Sequence, residues 1–168
     1  MWRLIRGCIK QNILEMTAFF KKKVIPFLWE WEGTKYEDDP DDPGNNPPEG
    51  ANKSYRGTKF GIDARSHPNV DIKNLTADQA MQIYWNDWIR LGVDHIPYPL
   101  NWCFFDSDQN NGLSRANLWL KLCGGDYNKY LDLRVEKYKS IASHNQGLAK
   151  ELNGWLNRVD ALRKEIQS

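Results

Sequence analysis

Hydrophobic positions along this chain recur mostly at steps of three and four. Phe19, Phe20, Val24, Phe27, Leu28 and Trp31 make the first such stripe, and that spacing lines one face of an α-helix. The helix is expected to stop near Gly33. Pro26 inside it lacks an N–H, which predicts a helix start close by or a kink. A second helix is expected in "LTADQAMQIYWNDWIRLG". There Thr76 is a suitable N-cap and Gln79, three residues on, completes a capping box. Its apolar face would hold Ala80, Ile83 or Tyr84, and Trp88.

"PYPLNWCFFDSDQNNG" predicts a third helix that opens at Pro97 and Pro99, carries Leu100, Cys103 and Phe104 on one side, and ends at Asn111-Gly112. Ser114 is the expected cap of a short helix over "RANLWLKLC", which Gly124-Gly125 would close. Two further stripes follow, one with Leu131, Val135, Tyr138 and Ile141, the other with Leu148, Leu152, Trp155, Val159, Leu162 and Ile166. Residues 37–57, "EDDPDDPGNNPPEGANKSYRG", have four prolines, three glycines and no period. No Val/Ile/Thr-rich alternation stands out anywhere. The pattern therefore predicts a mainly α fold with an irregular or small β insertion after the first helix. A loop that long without structure of its own points to function.

At 168 residues the chain can bury a real core. Eight Trp and seven Tyr suit a core or a sugar-binding cleft. The formal net charge of +1 gives no reason to expect nucleic acid. Local balances differ: residues 1–35 carry +4, residues 37–49 carry −6 and residues 114–168 carry +4. Basic ends about an acidic loop suit an anionic polymer, and solvated helix faces account for them equally well. Cys8, Cys103 and Cys123 have no zinc-ligand spacing and cannot all pair, so they are read as reduced, with Cys103 and Cys123 buried in helices. No apolar run approaches the ~18 residues of a membrane span, and no stable membrane insertion is expected. Residues 1–15 read as an extension ahead of "MTAFF" at Met16.

The chemistry concentrates in "WEWEGTKYEDDPDDPG" over residues 29–44. Glu30 and Glu32 lie about 200° apart on a helix, so only one can face a cleft. A carboxyl placed beside tryptophans loses hydration of its charged form, and the partial negative charge of a helix C-terminus acts in the same sense. Glu32, in the last turn, is thus a candidate proton donor to a leaving oxygen. The loop beyond offers Asp38, Asp39, Asp41 and Asp42 as a second carboxylate, the pairing that glycoside hydrolysis uses. The same acids fit no EF-hand register, and no metal is expected.

These residues carry a family resemblance. "EGTKYEDDPDDPG…TKFGID" resembles the signature of glycoside hydrolase family 108, which reads E-G-G-Y, two residues, D-P-x-D-P-G-G, then T-x-x-G-I-T. "LTADQAMQIYWNDWI", "FFDSDQNNG" and "LNGWLNRVDAL" are similar to later segments of the same family, in the same order, the last belonging to its peptidoglycan-binding half. The resemblance spans about residues 16–165. It implies a lysozyme-like helical fold, with a catalytic lobe over 16–95 and a helical peptidoglycan-binding lobe over 96–168. It implies N-acetylmuramidase activity on peptidoglycan glycan strands without a cofactor. Glu32 matches the catalytic glutamate, Asp42 the second acid and Thr58 a water-positioning threonine, with Tyr36 and Asn110 as substrate-binding residues, for which packing under Glu32 and helix capping are the respective alternatives. Asp106 reads as a helix-end or buried hydrogen-bonding acid, and Trp155, Asn157 and Arg158 as packing residues of the last helix.

The chain departs from the pattern in "EGTKY", one residue longer, and in an insertion, "NNPPEGANKSYRG", between Gly44 and Thr58. Asp39 or Asp41 therefore remains an alternative to Asp42. A module that kept the fold for wall binding or secretion without turnover remains an alternative function. Without a recognisable signal peptide the expectation is cytoplasmic accumulation and action on the wall after release, as for a phage or prophage lysin.

Overall fold

The computed structural model describes residues 18–168; the expected extension, residues 1–15 with Cys8, lies outside them. The described chain is mainly helical with one small antiparallel sheet, as the pattern predicts. It divides into two compact units, one running to Asp87 and the other from Trp88 to Ser168.

In the first unit, helix α1 (Ile25–Glu32) follows directly on a π-helical turn, Phe20–Val24. Pro26 explains the junction. It has no N–H to give to the turn before it, and the Ile25 N–H just ahead closes the wider loop onto the Phe20 carbonyl. The stripe read from the sequence faces inward, with Phe20, Val24, Phe27 and Leu28 buried. Gly33 ends the helix at φ +80°, its N–H on the Trp29 carbonyl.

Strands β1 (Thr58–Lys59) and β2 (Ile62–Asp63) form a hairpin, with Thr58 opposite Asp63 and Lys59 opposite Ile62. Helix α2 (Ala77–Arg90) opens on the predicted capping box. The Gln79 N–H donates to Thr76 Oγ1 at 3.3 Å, and the Thr76 N–H donates to Gln79 Oε1 at 2.9 Å. Ala80, Tyr84 and Trp88 are its buried face.

The second unit holds α3 (Leu100–Asn111), α4 (Leu113–Cys123), α5 (Tyr127–His144) and α6 (Leu152–Gln167). Helix α3 packs on α4 and α5, and α5 packs on α6. All eight residues from Leu100 to Ser107 are buried, so α3 is enclosed on every side rather than along the one face its sequence suggests. Helix α4 starts at Leu113 with Gly112 as N-cap, and Ser114 sits inside its first turn instead of capping it. Cys103 and Cys123 are free and buried. Burial, and after it the Asp106 carboxylate, pushes the Cys103 thiol up to about 12.

Polar groups inside this unit form one connected network. Asp106, fully buried, accepts from Arg134 Nη1 at 2.5 Å on one oxygen and from Arg158 Nη2 at 2.8 Å on the other. Arg134 Nε donates to the Tyr138 hydroxyl at 2.8 Å, and that hydroxyl donates onward to the side-chain oxygens of Asn110, at 2.7 Å, or Asn111, at 3.0 Å.

Candidate active site

The end of α1 separates its two acids as the helical phase requires: Glu30 is exposed and Glu32 half-buried. The tip of the β1–β2 hairpin is held by three contacts, two to this end of the helix and one to α2. Phe60, at φ +56°, sets its ring 5.0 Å from that of Trp29. The Phe60 carbonyl accepts from the Tyr84 hydroxyl at 2.7 Å. Gly61 lies against the stem of Glu32.

At Gly61 the approach is close enough to dictate the residue. A Cβ there would stand 2.6 Å from Tyr84 Oη, 2.8 Å from Glu32 Cβ and 3.0 Å from Glu32 Cγ, on a backbone at φ +76°. The glycine of "TKFGID" is thus what lets the hairpin touch the helix-end acid. Gly61→Ala is expected to cost about 1–2 kcal/mol from the backbone conformation alone. It should also displace Glu32, so that any turnover that uses this acid falls further than the Tm shift accounts for. Kinetics and thermal unfolding of the same preparation check this.

The acidic loop is closed at its base by Glu37 and Thr58, whose backbones exchange hydrogen bonds of 2.9 and 2.8 Å. Tyr36 lies flat on Gly57, where a Cβ would fall 2.5 Å from its ring, and its hydroxyl donates to the Arg56 carbonyl at 3.1 Å. Burial, then the Asp38 carboxylate, raises the Tyr36 hydroxyl above its ordinary pKa and keeps it a donor.

Asp42 is exposed and caps the 3₁₀ turn Pro43–Asn45, Oδ1 accepting from the Gly44 N–H at 2.8 Å. Asp39 Oδ1 accepts from the Asp41 N–H at 2.9 Å. Thr58 is half-buried and donates its hydroxyl hydrogen to Asn45 Oδ1. It begins the strand that leads to Gly61, three residues on, where the hairpin meets Glu32.

Of the five residues singled out in the sequence, Glu32 stands at the hairpin tip, while Tyr36, Asp42 and Thr58 gather about the base of the loop. Asn110 belongs to the second unit, where its side-chain oxygen faces Tyr138. Two residues passed over in the sequence join this group. Asn45 is 2% exposed and holds Thr58. Asp63 stands directly across the hairpin from Thr58, and its Oδ1 caps the Ser66 N–H at 2.9 Å. Asp63 follows the "GI" of the motif, where the family pattern has a threonine, so nothing in the pattern marks it as an acid of interest. Asn45 stands where the family pattern has the second glycine of D-P-G-G, so the pattern does not mark its amide either.

A half-buried glutamate at a helix end, with a hairpin tip against its stem, leads into a loop rich in carboxylates, and paired carboxyl groups are what glycoside hydrolysis uses. The family described as Glycosyl hydrolase 108 matches residues 25–112, more than half of the chain. The chain belongs to glycosyl hydrolase family 108 and is a glycosidase; peptidoglycan is the substrate class that fits this family. The structure of Brucella abortus SagA is similar in fold, with a TM-score of 0.64 at 22% identity over 90% of this chain and 95% of that one. No curated protein matches the chain. Among the described residues no helix is long and apolar enough to cross a membrane.

Proposed function

We propose that this glycosidase is an N-acetylmuramidase, hydrolysing the β-1,4 bond between N-acetylmuramic acid and N-acetylglucosamine. The observation that carries the reading is the seating of Glu32: of the two acids near the end of α1, it is the half-buried one and the one in contact with the hairpin. Glu32 gives its proton to the glycosidic oxygen as the C1–O bond breaks. Water supplies the oxygen that ends on C1, and its proton passes to a carboxylate, for which we assign Asp42. Thr58 holds that water.

Tyr36 and Asn110 are assigned to substrate contact, on the first and second unit respectively. The chemistry uses carboxyls, a hydroxyl and water, and needs no cofactor. A phage or prophage setting, in which the enzyme reaches the wall after release, fits such an activity.

The bond cleaved is read from the products. Digestion of isolated peptidoglycan, followed by mass spectrometry of the borohydride-reduced fragments, is expected to give reduced N-acetylmuramic ends. Reduced N-acetylglucosamine ends would make the enzyme a glucosaminidase and sink this assignment.

A further inference from the structure

Asn45 is almost fully enclosed, at 2% exposure, yet it belongs to a loop of mostly exposed polar residues. All of its polar groups are engaged. The backbone N–H donates to the Asp42 carbonyl at 3.1 Å, and the backbone carbonyl accepts from the Gly57 N–H at 2.8 Å. In the side chain, Nδ2 donates to the Asp39 carbonyl at 3.1 Å and Oδ1 accepts from Thr58 Oγ1.

These partners fix the direction of the amide. The Asp39 carbonyl can only accept, so the NH₂ group must point to it and the oxygen must point to Thr58. Turning the amide over would set two oxygens against each other at one end and leave a buried acceptor without a donor. The Thr58 hydroxyl has one hydrogen, and it is committed to Asn45 Oδ1. Toward everything else, Thr58 Oγ1 presents lone pairs alone.

We infer that Asn45, which stands where the family pattern has a glycine, is a positioning residue that makes Thr58 Oγ1 an acceptor-only contact for the attacking water. This rests on the reading of Thr58 given above. A water that donates one hydrogen to Thr58 and the other to a carboxylate turns an oxygen lone pair away from both, toward an anomeric carbon. Were the threonine free to rotate, it could instead donate to the water and spoil that orientation. At a position where this chain departs from the family pattern it thus carries a polar group that the proposed reaction uses.

The test compares kcat and KM on peptidoglycan for wild type, Thr58→Val, Asn45→Ala and the double variant, with Glu32→Gln as reference. Asn45→Ala is expected to lower kcat on the order of tenfold with KM within about twofold. In the Thr58→Val background it should do nothing further, within about twofold, since the hydroxyl it orients is gone. Unchanged kcat in Asn45→Ala, or a double variant equal to the product of the two singles, overturns the inference.

If Asn45→Ala does not fold, the size-matched pair Asn45→Asp and Asn45→Leu gives the same contrast. Both lose the NH₂ donor, but only Asp keeps an acceptor for Thr58, so Asn45→Asp should retain at least about fivefold more kcat. Equal values overturn the inference. Undiminished release by Glu32→Gln would overturn the acid–base reading beneath it. Release lost in Glu32→Gln with independent Asn45 and Thr58 effects would overturn the positioning role alone.

Discussion

Glu32→Gln is expected to lower kcat on isolated peptidoglycan by about 10²–10⁴-fold, or roughly 3–5 kcal/mol of transition-state stabilisation, while leaving the Tm close to that of wild type. The substitution keeps the shape and the packing against Gly61 and removes only the proton donor. Turbidity loss and muropeptide release by the two proteins, measured at one concentration, read the effect directly. Because the stem of Glu32 packs on the hairpin, Glu32→Ala is a poorer probe: it opens space under Gly61 and mixes lost packing with lost chemistry. Equal rates for wild type and Glu32→Gln would leave a glycosidase whose acid lies elsewhere. Binding to sacculi without release by either protein would point to a module that kept only recognition.

Asp106→Asn is expected to destabilise the second unit by about 3–5 kcal/mol, because it leaves two arginines in the interior without their counter-charge. For a chain of this size that is a Tm lower by on the order of 10 °C. The sign with pH follows from the same geometry. Burial pushes the Asp106 carboxyl upward, but Arg158 and Arg134 together outweigh it and hold the group below its ordinary value. A group whose folded pKa is depressed contributes stability above the unfolded value, near 3.9, and loses it as pH falls through the folded value. Wild type should therefore lose stability below about pH 4. Asp106→Asn should be weaker at pH 7 and show less of that acid-side decline. Thermal unfolding of both proteins across pH 3 to 7, on the order of one measurement per half unit, tests the prediction.

Local codes were the part of this fold most easily read from the chain. The Thr76–Gln79 box is written within four residues and forms as written. The helical phase that separates Glu30 from Glu32 likewise needs nothing beyond α1. What could not be read depends on partners far along the chain. Asp106 reads as a helix-end or a buried hydrogen-bonding acid, and it is Arg134 and Arg158, 28 and 52 residues away, that decide for the second. Arg134 counts in the sequence only toward a basic C-terminal half, and Arg158 reads there as a packing residue with nothing to name its partner.

The enclosure of α3 was hidden for a similar reason. Periodicity reports one apolar face, and the other side of α3 buries Trp102 and Phe105 together with the polar Asn101 and Asp106. At the site, aromatic residues beside Glu32 were evident, but their task was not: Trp29 is spent on Phe60 and thereby on the hairpin. Thr58 was found through its motif, and its holder Asn45 was not, since the pattern has a glycine at that position and offers no amide to look for.

The clasp between Glu37 and Thr58 has a use for engineering. Two backbone hydrogen bonds join the ends of the acidic loop, so the chain between them can change length without shifting the strand that leads to Glu32. Closing a longer flexible loop costs little, about 0.6 kcal/mol for each doubling. Residues 48–55, beyond the Asn46 amide that holds the Pro40 and Asp42 carbonyls and the buried Pro47, and short of the Arg56–Gly57 seat of Tyr36, are accordingly an exchangeable cassette and a natural place for combinatorial libraries.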